Sequence, residues 1–227
     1  MILAIIFDFD GLILETEEPT YQSWAAIYQS FGYSLPFSTW SPNVGTTQGE
    51  FDPEVELERL VSGKVDWENV ESSRRAIENT LIEAQSALPG VVQYVQDAKS
   101  LGLKLGIASN SSGKWVIGHL TRLGLVKYFD CICTSDFVKH IKPDPELYLN
   151  ALHGLSVSAD EAFALEDTPV GVRAAKSAGI FCVAVPNSII KNLSFREADF
   201  QLKSLEEMPV ESLLSQINTL KTQRAAF

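Results

Sequence analysis

The sequence predicts a doubly wound, mostly parallel α/β sheet with an α-helical insertion after its first strand. Three observations carry this. Leu3, Ala4, Ile5, Ile6 and Phe7 form the continuous apolar run that a strand covered on both faces needs. Residues 15–87 show helical periodicity and no convincing strand signal. From Pro89-Gly90 onward, helical segments alternate with short apolar strands, the βαβ pattern that specifies parallel pairing.

Each element follows from its residues. The first strand ends in Asp8-Phe9-Asp10-Gly11, where Gly11 permits a turn that a residue with a Cβ resists. Glu15-Thr16-Glu17-Glu18-Pro19 combines a cap, early acids and a first-turn proline, the signals that start a helix. Tyr21, Trp24, Ala25, Tyr28 and Phe31 then recur at helical spacing until Gly32. Residues 33–49 read as loop, with Pro36, Pro42, Gly45 and Gly49. Asp52-Pro53 opens a second helix with Val55, Leu57, Leu60 and Val61 on its apolar side. The spacing predicts a third from about Trp67 to Ala87, with Trp67, Val70, Ile77, Leu81, Ala84 and Leu88 along one stripe.

In the second part, a helix over Val91–Leu101 stops at Gly102, and Lys104–Ala108 is a strand leading into Ser109-Asn110-Ser111-Ser112-Gly113. A helix through Val116, Leu120 and Leu123 ends at Gly124, and Cys131–Thr134 is the third strand. Lys142-Pro143-Asp144-Pro145 is expected to be extended ahead of a helix at Glu146–His153. Ala162–Leu165 ends in Glu166-Asp167-Thr168-Pro169, followed by a helix over Val170–Ala178 and a strand over Phe181–Val185. Asp199–Leu202 makes a sixth strand before a terminal helix near Val210–Lys221. Residues 1–14 and 88–227 thus form a Rossmann-like domain, and residues 15–87 a separate helical one, with hinges near 14–17 and 85–90.

Composition narrows the function classes. With 45% hydrophobic and 21% charged residues the balance is that of an ordinary globular protein. The formal charge of -11 leaves no basic surplus to neutralise a nucleic-acid backbone. Cys131, Cys133 and Cys182 lack framework or zinc spacing and read as reduced thiols, the first two on one strand face. No apolar run approaches the roughly 18 residues of a membrane span, and the amino terminus lacks a basic leader. The expectation is a soluble cytoplasmic monomer with neither a nucleic-acid nor a membrane partner.

The chemistry gathers at strand ends. Asp8 and Asp10 lie at the carboxyl end of a buried strand, where open α/β sheets place ligands. Two carboxylates that close repel unless a cation or a shared proton compensates, so they make a hard-cation site, an acid/nucleophile pair, or both. Ser109 and Asn110, the Lys142 loop, and Glu166 with Asp167 occupy other tips of the same sheet. Any one of these alone reads better as a cap or loop residue than as a functional one. Together, Asp8 can attack an electrophile, Ser109 with backbone N–H groups can hold oxyanions, Lys142 can neutralise charge, and Asp167 with Glu166 can help hold Mg2+.

These segments, FDFDGLILETE at 7–17, GIASNSS at 106–112, KPDPELY at 142–148 and LEDTPVGVRAAKSAG at 165–179, resemble the haloacid dehalogenase superfamily of phosphotransferases, in the branch with a helical cap. The resemblance spans nearly the whole chain. It implies that Asp8 is a nucleophile forming an aspartyl phosphate and Asp10 the general acid/base. It implies that Ser109, Asn110 and Lys142 bind the transferring phosphoryl group. Asp8, the backbone carbonyl of Asp10 and Asp167, assisted by Glu166, would hold Mg2+. The implied activity is hydrolysis of a small phosphorylated metabolite, a sugar phosphate or nucleoside monophosphate.

Two alternatives stand beside it. Related hexose-phosphate mutases carry a cap histidine and arginine where this chain has Thr20 and Gln48, neither of them cationic, which favours hydrolysis. A phospho-accepting receiver module uses similar groups, but its acid pair precedes the phospho-accepting strand and it has no helical insertion. Glu15 stands where the family usually has aspartate. Thr20, Trp24, Gly45, Thr46 and Gln48 are the candidates for touching the leaving group, although Trp24 also fits the apolar stripe of its helix. His119, His140 and His153 have no motif spacing, and Arg173 reads as a solvated helix charge. Lys114 reads the same way, yet it lies close to the phosphate loop.

Overall fold

The computed structural model describes residues 1–41, 51–61, 63–190 and 193–225. It divides into two compact units, Met1–Leu14 with Ala87–Phe227, and Glu15–Ser86.

The first unit holds one six-stranded sheet: β1 (Ala4–Phe7), β2 (Lys104–Ala108), β3 (Cys131–Cys133), β4 (Ala162–Glu166), β5 (Phe181–Ala184) and β6 (Phe200–Gln201). Its order is β3-β2-β1-β4-β5-β6 and every pairing is parallel. β1 is therefore central, which is why all four of its residues are fully buried and why its sequence is uninterruptedly apolar. Burial of Ile5, Ile6 and Phe7 contributes about 1.5–3 kcal/mol each against an exposed reference. The direction of winding reverses between β1 and β4, and the carboxyl ends of strands flanking such a reversal are where this architecture leaves a crevice.

Among the described residues, the α-helices of this unit are α5 (Val91–Ser100), α6 (Gly113–Arg122), α7 (Glu146–Leu155), α8 (Pro169–Ser177) and α9 (Val210–Ala225), and those between Glu15 and Ser86 are α1 (Glu17–Ser30), α2 (Phe37–Trp40), α3 (Pro53–Leu60) and α4 (Trp67–Glu83). α7 packs on β2 and β3, and α8 on β4 and β5. In the helical unit, α1 packs on α4. Trp24 and Tyr28 of α1 are buried there, the Tyr28 hydroxyl donating to the Pro53 carbonyl at 2.8 Å.

Several expectations shift. α4 stops at Glu83, because Ala87 is needed in an antiparallel bridge to Leu14; this places Ala87 with the sheet. Its buried positions are Val70 and Ile82, and the neighbouring Leu81 is only half-buried. Val55 is exposed, leaving Leu57 as the buried anchor of α3. The stretch read as loop contains α2, whose Trp40 is buried. Lys142–Asp144 forms a turn with a cis Lys142-Pro143 bond in place of extended chain. The Glu15 carboxylate caps α1, accepting from the N–H groups of Glu17 and Glu18, whereas Thr16 makes no side-chain cap. Among the described residues, no helix is long and apolar enough to cross a membrane.

Candidate active site

The site is built by strand ends and the first turns of helices. Asp8 directly follows β1, and its backbone N–H still pairs with the Leu165 carbonyl of β4 at 2.9 Å. The chain then turns: Gly11, at φ +78°, donates to the Leu14 carbonyl, and a Cβ at Gly11 would sit 2.0 Å from Asp167 Oδ2. Only a glycine fits between the first acid pair and the late one.

Lys142 binds the distant segments together. Its N–H donates to Asn110 Oδ1 at 2.8 Å, which docks its loop onto the end of β2. Its ammonium donates to Asp8 Oδ1 at 2.5 Å and to Glu166 Oε1 at 2.6 Å. All three side chains are buried. Glu166 Oε1 also accepts from the Tyr148 hydroxyl at 2.5 Å, and the Lys142 ammonium lies 5.1 Å from the Tyr148 ring centre.

Asp10 points elsewhere. Its Oδ2 accepts from Ser111 Oγ at 2.6 Å and Ser109 Oγ at 3.3 Å, while its Oδ1 accepts from the Trp115 indole N–H at 3.0 Å. Ser109 is buried, and its N–H donates to the Cys133 carbonyl, so adjacent strand tips hold that loop.

Electrostatics follow from burial. Loss of water pushes the Asp8 carboxyl up to about 8, against the pull of Lys142 and with help from Glu166 and Asp10. Burial works against the Lys142 ammonium, but Asp8 and Glu166 outweigh it and hold the lysine above its ordinary value. Burial, then Glu166, raises the Tyr148 phenol well above its usual range, so it remains a donor.

Asp8, Glu166 and Asp167 each offer a carboxylate oxygen within 4.8 Å of the others, all three residues buried. With all three carboxyls ionised, three acids against one lysine leave a double negative charge for a cation to offset, and Glu166 Oε2 is buried with no hydrogen-bond partner among the described residues. An all-oxygen, doubly charged donor set fits a hard divalent cation. The residues therefore suit a divalent metal ion.

The sheet thus brings Asp8, Asp10, Ser109, Asn110, Lys142, Glu166 and Asp167 to one edge. Thr20 and Trp24 belong to the helical unit: Thr20 Oγ1 donates to Glu78 at 2.6 Å and to the Thr16 carbonyl at 2.9 Å, and the Arg74 guanidinium lies 5.3 Å from the Trp24 ring centre. Gly45, Thr46 and Gln48 lie outside the described residues. His140, His153, Lys114 and Arg173 are exposed, and His119 is half-buried against Trp115.

Four residues with a part in the site escaped the sequence reading: Ser111, Trp115, Tyr148 and Gly171. A Cβ on Gly171 would lie 2.0 Å from Glu166 Oε2, so this helix begins with the bare backbone against the carboxylate. A tyrosine and a glycine on the sheet-facing side of short helices were the available signals.

A family model described as haloacid dehalogenase-like hydrolase matches residues 5–185. The chain is 44% identical over 219 residues to YhcW of Bacillus subtilis (strain 168), whose phosphatase designation is itself provisional; 96% of this chain and 99% of that one align. It is 33% identical over 181 residues to a phosphorylated carbohydrates phosphatase of Thermotoga maritima, covering 78% of this chain and 82% of the relative. A solved structure of beta-phosphoglucomutase from Clostridium difficile superposes with a TM-score of 0.76 at 27% identity, over 98% of this chain and 100% of that one.

Proposed function

The chain belongs to the haloacid dehalogenase-like hydrolases, and from that premise we propose that it is a Mg2+-dependent phosphatase of a small phosphorylated metabolite, working through an aspartyl phosphate. It is a phosphoric monoester hydrolase, as its relatives' names suggest. A sugar phosphate is the favoured substrate class, because the Thermotoga relative is named for phosphorylated carbohydrates; a nucleoside monophosphate is the other. The cytoplasm is the compartment that fits reduced thiols and this substrate class.

One observation carries the reading: a buried carboxylate, Asp8, held by an ammonium that also spans to Glu166. Phosphate-monoester hydrolysis is among the slowest uncatalysed reactions, and its catalysis rests on alignment and charge neutralisation. Asp8 attacks phosphorus in line, forming the Asp8 O–P bond as the ester P–O bond breaks. Lys142 offsets the repulsion between the carboxylate and the phosphoryl oxygens. Ser109 and Asn110 hold those oxygens; Asn110 is pinned by its Oδ1 to the Lys142 N–H, leaving its amide nitrogen to donate. Asp10 protonates the leaving oxygen and then takes a proton from the water that cleaves the aspartyl phosphate.

Asp8, Asp167, Glu166 and the Asp10 carbonyl are the groups that would hold Mg2+. When bound, the ion supplies positive charge opposite the phosphoryl oxygens. Hydrolysis is favoured over mutase chemistry because Thr20 and Gln48 stand where the related mutases carry a cap histidine and arginine, and neither is cationic. A panel of phosphate monoesters with and without Mg2+, including a hexose 1-phosphate with a bisphosphate activator, tests the reading. Mg2+-dependent phosphate release supports it, and isomerisation without release overturns it.

A further inference from the structure

We propose that Trp115, with Ser111, is a positioning residue for proton transfer, fixing the Asp10 carboxylate so that Oδ2 is the oxygen that delivers the proton. The inference rests on the assignment of Asp10 as general acid/base and adds the groups that aim it.

The geometry follows from the sequence. Ser112 caps α6, its side chain accepting from the Trp115 N–H at 3.4 Å, so Trp115 is the third residue of the helix. Helical side chains lean toward the amino end of their helix. Here that end sits at the tip of β2, beside β1 in the sheet. The indole therefore reaches back over the edge to Asp10 Oδ1 at 3.0 Å. It is steadied on its other side by His119, ring centres 4.3 Å apart. Ser111 Oγ meets Oδ2 at 2.6 Å, and the Ser111 backbone is pinned at both ends, its N–H to Ser109 Oγ and its carbonyl to the Ser135 N–H. Two donors fixed to opposite oxygens stop the carboxylate from rotating about its Cβ–Cγ bond.

The donors differ in kind. An indole N–H can only donate, whereas a serine hydroxyl can also accept. Oδ1 is thus committed to the indole, and Oδ2, met by the Ser111 hydroxyl, is the oxygen left to deliver the proton while Ser111 donates to its other lone pair. As the ester P–O bond breaks and the Asp8 O–P bond forms, a lone pair of the leaving oxygen takes the proton from Oδ2, and the O–H bonding pair stays on Asp10 as carboxylate charge. Ser109, at 3.3 Å from Oδ2, is free to move to a phosphoryl oxygen while Trp115 and Ser111 keep their hold.

The test compares p-nitrophenyl phosphate, whose leaving group departs without protonation, with phenyl phosphate, whose phenolate is about as basic as that of tyrosine, pKa about 10. Rates of enzyme phosphorylation are read by rapid quench. Trp115→Phe is expected to slow phosphorylation by phenyl phosphate about tenfold, while p-nitrophenyl phosphate changes less than about twofold. An equal loss on both esters marks a merely structural role and overturns the inference, as does no loss on either. Ser111→Ala carries the same comparison should the Phe variant not fold. Independently, the Trp115 indole proton should shift upfield in the NMR spectrum of Asp10→Ala; an unmoved resonance contradicts the contact. Phosphoryl label on Asp8 in these variants shows that the nucleophile reading stands even where the positioning one fails.

Discussion

Lys142 and Asp8, 134 residues apart in sequence, meet through a hydrogen bond of 2.5 Å between Nζ and Oδ1, both residues buried. Removing the cation strands Asp8 and Glu166 as close, buried acids. Breaking such a pair costs about 3–5 kcal/mol. Lys142→Met, which keeps most of the aliphatic volume, should lower kcat/KM by about 10²- to 10³-fold. Steady-state kinetics check this; a loss below about threefold would remove Lys142 from the site.

Asp8 in the metal-free protein makes stability depend on pH. Its folded pKa, about 8, is raised from 3.8 chiefly by burial, so the folded state binds the proton more tightly than the unfolded one. The contribution is full below 3.8 and is lost as pH rises through about 8. Urea midpoints of metal-free protein should fall over that window, and Asp8→Asn should flatten the fall while leaving the fold intact. A slope unchanged by the substitution contradicts the assignment.

Gly171 is expected to tolerate no side chain. A Cβ there meets the Glu166 carboxylate at 2.0 Å, and overpacking of this kind costs about 1–3 kcal/mol. Gly171→Ala should lose stability and activity together. Gly118, in α6 with nothing within 4 Å of its Cβ position, is the control: its alanine variant should be neutral or gain up to about 1 kcal/mol. Equal denaturation midpoints for the two variants would contradict the crowding at Glu166.

In the helical unit, Arg74 joins Glu71 and Glu78 at 2.7 and 2.9 Å. Hydrogen bonding to Arg74, against partial burial and with Arg75 assisting, lowers the Glu71 carboxyl to about 2. A depressed acid stabilises above its ordinary 4.5, and that stability fades as pH falls through about 2. Because the pair is partly solvated, the effect is about 1 kcal/mol or less. Glu71→Gln should flatten acid-induced unfolding between these values; an identical acid limb in both proteins contradicts it.

Much of this was legible in the sequence because buried parallel strands are apolar until they end, so Asp8, Ser109 and Glu166 stand out as the first polar residues after each run. Lys142 could be read from its motif alone, since nothing local shows that its loop folds back to Asn110. Trp115, Tyr148 and Gly171 stayed hidden for another reason: each acts from an early turn of a helix, where an aromatic or small residue looks like packing. Periodicity also misjudged α4, where Ile82 is buried and Leu81 half-buried, because these two apolar neighbours lie about 100° apart on the helix and the stripe can be drawn through either one.

The most direct test of the central claim is chemical capture of the intermediate. Wild-type enzyme quenched in mid-turnover with Mg2+ and a reactive monoester, then mapped by mass spectrometry, should carry phosphate on the peptide containing Asp8, at that residue, and Asp8→Asn should carry none. Turnover with no phosphoryl-enzyme at any quench time, or label that persists in Asp8→Asn, would contradict the account.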